Sequence, residues 1–210
     1  MVDDNVIIRR IIAAADTYAN QLLNNNILFV YEIAPMRYAY FEADFEKRCF
    51  LHLTGISPSN SMTSVSVFDK CLSRTITNDD VIIPRDGTVE LKMEVLDCAM
   101  NIHKNSRMVG DFNNSRIKLE TDRIAGSTHG CMGFVVDNNT GFYVPNTLLK
   151  EDLRDITTKT HRVLAVYSKS KWQAHYSVLR YTAKGISANQ VEWNPKINKL
   201  IEAPLTIDYR

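Results

Sequence analysis

The apolar residues of this chain change period near Met108, and that change decides the fold class. Before it, most apolar stretches recur at helical spacing. Ile8, Ile11, Ile12, Ala15, Tyr18, Ala19 and Leu22 fall three or four residues apart, with Asp3 or Asp4 available to cap the start. Asn24-Asn25-Asn26 ends this helix, because asparagine competes for backbone bonds and tolerates the left-handed region. Further helices are expected from about Met62 to Leu72, from Asn78 to Pro84, and from Val89 to His103. After Met108 the spacing falls to two. Arg116 to Thr121 alternates, with Ile117 and Leu119 inward and Arg116, Lys118 and Glu120 outward. Strands are also expected over Cys131 to Asp137, Arg162 to Lys169 and Tyr176 to Thr182. Phe142 to Val144 follows a turn at Asn138-Asn139-Thr140-Gly141, and a short helix is expected near Leu148 to Leu153.

Helices followed by about four antiparallel strands is an α+β order, not the alternating order of a parallel sheet. One hairpin precedes the change of period. Ile27 to Ile33 is rich in β-branched and aromatic residues, Ala34-Pro35 turns the chain, and Arg37 to Ala43 returns. The expected architecture is therefore N-terminal helices and a β-hairpin packed on a four-stranded or larger antiparallel sheet, with the hairpin as an addition. The length of 210 residues suits one domain over 1–210, with an N-terminal helix at 1–26 and a tail at 186–210 that wraps over the surface.

Within this frame, Phe50-Leu51-His52-Leu53-Thr54-Gly55-Ile56 concentrates the chemistry. Read as an extended segment over Cys49 to Leu53, it puts His52 and Thr54 on one face and Leu51 and Leu53 on the other. Gly55 permits a sharp change of direction. A polar pair on a short rigid element suits proton transfer; one hydrogen-bonded histidine at a strand end is the plainer reading. Phe50 to Ile56, with Phe68 downstream, resembles the F-x-H-L-T-G-I/L signature of a phage-associated group of nuclease domains named after barnase, EndoU, colicin and RelE, the fourth such group. The similarity continues through Gly133-Phe134, Tyr143-Val144-Pro145 and Ala165-Val166-Tyr167, and covers roughly residues 27–185. The resemblance implies helices on one face of an antiparallel sheet and a nuclease activity. It further implies metal-independent RNA cleavage by a toxin or phage effector, RNA as partner, and a cognate immunity or antitoxin protein. A non-catalytic inhibitor of a host or phage protein is the rival reading.

The formal net charge of +1 supplies no global attraction to nucleic acid, so any such site must be a local basic patch. Metal-free RNA cleavage needs a group to take the 2′-hydroxyl proton, one to protonate the leaving 5′-oxygen, and cations for the phosphorane. His52 is the acid–base candidate, since imidazole titrates near neutral pH, with Thr54 to fix the ring. Arg116 and Lys169 are candidates to stabilise the phosphorane. Lys118 adds a phosphate donor, and Tyr143 and Tyr167 are candidates to contact a base. All seven are expected to converge on one concave surface. Cys49, Cys71, Cys98 and Cys131 match no zinc knuckle and are expected to be buried free thiols, with no metal or other cofactor. No secretory signal is apparent, and no stretch approaches the ~20 apolar residues that span a membrane. A cytoplasmic location is expected.

Overall fold

The computed structural model describes residues 3–113, 119–187 and 191–208. Helix α1 (Asp4–Gln21) begins where the Asp3 carboxylate accepts from the Asn5 amide at 3.0 Å. Its buried face carries Ile7, Ile11, Ala14 and Tyr18. Asn24, with φ of 61°, makes the left-handed turn into β1 (Asn25–Ala34). β1 and β2 (Arg37–Asp44) form the expected hairpin, with Asn26 opposite Asp44. A 3-10 turn at Lys47–Cys49 leads into α2 (Phe50–Thr54), then β3 (Ser57–Pro58) and α3 (Ser64–Leu72). A 3-10 turn at Asn78–Asp80 replaces the helix expected over 78–84 and leads to β4 (Val81–Ile82), which pairs with β3. The helix expected over 89–103 is two, α4 (Thr88–Met100) and α5 (Ile102–Asn105), broken at Asn101.

The second half is all strand and turn until the tail: β5 (Met108–Phe112), β6 (Arg123–Gly126), β7 (Cys131–Val136), β8 (Tyr143–Leu149), β9 (Thr157–Ser170) and β10 (Tyr176–Thr182). Of the strand expected over 116–121, residues 116–118 lie outside the described residues and 119–121 are not strand; the next strand, β6, begins only at Arg123. The helix expected at 148–153 is not formed; β8 continues through Leu149, and a 3-10 turn follows at Leu153–Asp155. The tail holds α6 (Pro195–Asn198) and β11 (Ile201–Ile207).

The strands do not make a plain antiparallel sheet. Their order is β1-β2-β8-β7-β6-β5-β9, and β9 pairs again with β1, so seven strands close into a barrel. The barrel is mixed: β2 runs parallel to β8 through Ala43 and Tyr143. Two further strands extend it, β10 antiparallel to β9 and β11 parallel to β10. The N-terminal hairpin is thus part of the wall rather than an addition. The physical reason lies in β1, whose residues 26–31 are all buried. A strand with neighbours on both edges and cover on both faces carries a continuous apolar run, not an alternating one. Closure also removes the unpaired edges that an open sheet would expose.

Each face of β1 serves a different core. Ile27, Phe29 and Tyr31 belong to the large core shared by the barrel interior and the helices, whereas Leu28 and Val30 face outward into a second cluster. In the first core, Phe29 stacks on Phe41 at 4.7 Å, and Phe134 from β7 meets Phe41 at 5.6 Å. Tyr18 packs edge-on against Phe45, Phe50 and Phe68, and donates its hydroxyl to the Glu46 carbonyl oxygen at 2.8 Å. That cluster holds α1, α2 and α3 together. The outer cluster contains Leu164, Tyr167, Tyr176 and Leu179, covered by Trp193 and Ile197 of the tail. Among the described residues, no helix is long and apolar enough to cross a membrane.

Candidate active site

The Phe50–Thr54 segment is a short helix, not the strand expected from its alternation. Phe50, Leu51, Leu53 and Thr54 are buried and His52 is exposed. Buried positions at i, i+1, i+3 and i+4 describe one helical face, which leaves His52 alone on the other. Gly55 ends the helix in the left-handed region, φ 80°, where glycine bears no side-chain penalty. His52 and Thr54 therefore do not share a face. The Thr54 hydroxyl donates to the Leu51 carbonyl oxygen at 2.8 Å and accepts from the Ile56 amide at 3.3 Å. It secures the end of α2 rather than the imidazole.

Two cations surround His52. Burial, then Lys92 and Arg48, push its imidazole below the usual histidine range. Lys92, on α4, donates its ammonium to the His52 carbonyl oxygen at 2.6 Å. Burial draws the Lys92 ammonium down to about 8. Arg48, in the turn before α2, is held by Glu46 and by Asp137 at 3.4 Å. At neutral pH this corner offers an accessible neutral imidazole beside positive charge. Such a corner can accept a proton and hold an anion.

The other expected site residues divide. Arg116 and Lys118 lie outside the described residues. Tyr143 is half-buried at the start of β8, edge-on to Phe41 at 5.4 Å. β8 is also a strand against which α2 packs. Tyr167 is fully buried in the outer cluster, where its hydroxyl accepts from Trp193 Nε1 at 3.1 Å. Lys169 lies two residues along the same face, donating to the Ala174 carbonyl oxygen at 2.9 Å with its ammonium 4.8 Å from the Tyr176 ring centre. Tyr167 and Lys169 thus occupy the outer face of the barrel wall, while α2 packs against the helix-facing core. The expected convergence of these two on His52 is not what the structure shows. The thiols also differ from expectation at one position: all four are free, but Cys98 is exposed.

Two features went unread in the sequence. Lys92 looks like any polar residue on the outside of a helix. The second is Arg123, on β6 directly opposite Asp111 of β5. Its guanidinium pairs with Asp111 at 2.8 Å, donates to the Tyr31 hydroxyl, and lies 5.6–5.8 Å from the ring centres of Tyr31, Phe41 and Tyr143. His161 stands beside Tyr31 at 5.6 Å and donates Nδ1–H to the Glu32 carbonyl oxygen at 3.1 Å. The opposite charges of Asp111 and Arg123 were the available signal, but only a known register brings them together. Among the described residues, no group of three or more histidine, cysteine or carboxylate side chains is placed to hold a metal ion.

Residues 10–185 match a family model described as phage-Barnase-EndoU-ColicinE5/D-RelE like nuclease4. The match takes in most of α1, both strands of the hairpin, the His52 corner and the barrel through β10. No curated protein and no solved structure matches the chain.

Proposed function

This chain belongs to the phage-Barnase-EndoU-ColicinE5/D-RelE like nuclease family, and from that premise we propose that it cleaves RNA without a metal ion, using His52 as the proton acceptor. The observation that carries this reading is the exposed imidazole on α2, flanked by Lys92 and Arg48 and held below the usual histidine range. A neutral imidazole at pH 7 can take the proton from a ribose 2′-hydroxyl. The flanking cations suit a phosphodiester and the extra charge of its phosphorane. Arg48 is one donor; Arg116 and Lys118 are proposed as others, on their sequence pattern. Tyr143 is proposed to contact a base near the rim of β8. Thr54 acts through the backbone of α2, and Tyr167 and Lys169 have no role in this reading.

An RNA target fits work in the cytoplasm as a toxin or phage effector, and such an activity calls for an immunity protein in the cell that makes it. The test is cleavage of labelled RNA in the presence of a metal chelator, comparing wild type with His52→Ala. Cleavage by the wild type, leaving 2′,3′-cyclic phosphate ends and lost in a folded His52→Ala protein, is expected. Cleavage that stops on chelation, or that survives in His52→Ala, would overturn the reading. Binding of RNA without cleavage would favour the non-catalytic alternative.

A further inference from the structure

We propose that Lys92 is the general acid of this site, delivering the proton to the departing 5′-oxygen while His52 acts as base; the proposal rests on the ribonuclease reading above. Lys92 does not stand out on α4 by sequence, but its placement is unlike that of a solvated surface lysine. Its stem crosses α2 directly over Gly55, where an added methyl group would lie 3.0 Å from Lys92 Cδ. The glycine of the motif thus leaves room for the lysine as well as ending the helix. The ammonium reaches the backbone carbonyl oxygen of His52 at 2.6 Å, and its charge acts on the imidazole of the same residue. Among the described residues no carboxylate pairs with Lys92.

The surrounding charges are engaged elsewhere. Arg48, before α2, takes up Glu46. Asp69 of α3 is held by Lys47, and Glu94 of α4 by Lys150 beyond the end of β8. Lys92 and Arg48 remain as the cations acting on the imidazole. Burial favours the neutral amine of Lys92, so its ammonium is a better proton donor than an exposed lysine. The two groups therefore divide the work at neutral pH. His52 is unprotonated and Lys92 is protonated, the states that a base and an acid must start from.

The step balances. The 2′-oxygen bonds to phosphorus as its proton passes to His52. The bond from phosphorus to the 5′-oxygen breaks as Lys92 gives that oxygen a proton. The products are a 2′,3′-cyclic phosphate and a 5′-hydroxyl. His52 then loses its proton to water, and the Lys92 amine regains one.

A lysine that only caps α2 would slow every substrate alike, through loss of structure. A general acid is needed only when the leaving group is a poor one. The experiment therefore compares an RNA dinucleotide with uridine 3′-(4-nitrophenyl phosphate), whose nitrophenolate leaves without being protonated. Wild type, His52→Ala, Lys92→Met and Lys92→Arg are measured on both across pH, after their melting temperatures are matched to a common folded fraction. Lys92→Met is expected to slow the dinucleotide by about 10²–10⁴-fold and to slow the nitrophenyl substrate far less, since there only a flanking positive charge is lost. His52→Ala should slow both. With the wild type, the dinucleotide rate should fall on the alkaline side near pH 8; Lys92→Arg should abolish that limb, because a guanidinium stays protonated. Equal loss on both substrates, or no loss on either, in Lys92→Met would overturn the role of Lys92 while leaving the ribonuclease reading intact. A wild type that cleaves neither substrate would overturn both.

Discussion

Trp193 donates its indole N–H to the Tyr167 hydroxyl at 3.1 Å, and this bond ties the C-terminal tail to the outer wall of the barrel. Trp193 is 4% exposed, and its ring meets Tyr38 edge-on at 5.1 Å. Trp193→Ala should lower stability by about 3–5 kcal/mol, as expected for deleting a buried large aromatic. Trp193→Phe keeps most of the apolar contact and should cost much less. Denaturant unfolding of the three proteins checks this; an unchanged midpoint in Trp193→Ala would show that the tail is not part of the cooperative unit.

Thr54 is expected to matter through stability. Thr54→Val removes the acceptor of the buried Ile56 amide and the donor to Leu51, at a cost of about 1–3 kcal/mol. Thr54→Ser keeps both bonds and should unfold close to wild type. Equal stability of Thr54→Val and wild type would contradict the assignment.

His103 should make the fold acid-sensitive. It is fully buried, neither ring nitrogen has a hydrogen-bond partner among the described residues, and burial draws its imidazole down to about 3. The unfolded chain titrates this group near 6.5, so between those values the unfolded state binds the extra proton. Stability associated with His103 is therefore full above about pH 6.5 and is lost as pH falls toward 3. Thermal unfolding across that window should show a steeper acid decline for wild type than for His103→Leu. Parallel curves would sink the prediction.

Inside the barrel, Tyr31 is the hydroxyl that meets Arg123. Tyr31→Phe removes a partner from a guanidinium whose Nε is already buried without one among the described residues, and should cost about 1–3 kcal/mol. A double-mutant cycle with Arg123→Met should return a coupling energy on the order of 0.5–3 kcal/mol. Additive single effects would mean that the contact contributes nothing.

Much of this fold was legible in local spacing. The period of α1, the β-branched and aromatic content of the hairpin, and the alternation of later strands are all local properties of the chain; the strands expected over 131–137, 162–169 and 176–182 are found as β7, as the greater part of β9, which begins earlier at Thr157, and as β10. What stayed hidden was pairing at long range. Nothing in the sequence near Phe29 announces Val166 as its partner, so the hairpin read as an appendage and the barrel as an open sheet. The short helix α2 failed for a different reason. Five residues hold little more than one turn, and Phe-Leu-His-Leu-Thr fits alternation as well as it fits a helical face. The motif directed attention to His52, which is indeed accessible, while its true neighbour Lys92 is 40 residues away. Tyr167 and Lys169, two residues apart on β9, share one strand face, but which side of the wall that face lined depended on the closure.

The seam between β1 and β9 sets an order of events during synthesis. His161 meets the backbone of Glu32 across 129 residues of chain, and the barrel cannot close until β9 has left the ribosome. The hairpin must wait as a two-stranded ribbon, a form that is marginal by itself in water, and contacts of such separation slow folding. The corner that carries His52 rests on the Tyr18 cluster and on α4, both made before that moment, but its cover by β8 comes late. A nascent chain therefore exposes its apolar hairpin until β9 emerges, and full cover of the reactive corner by the closed barrel waits for the same stage.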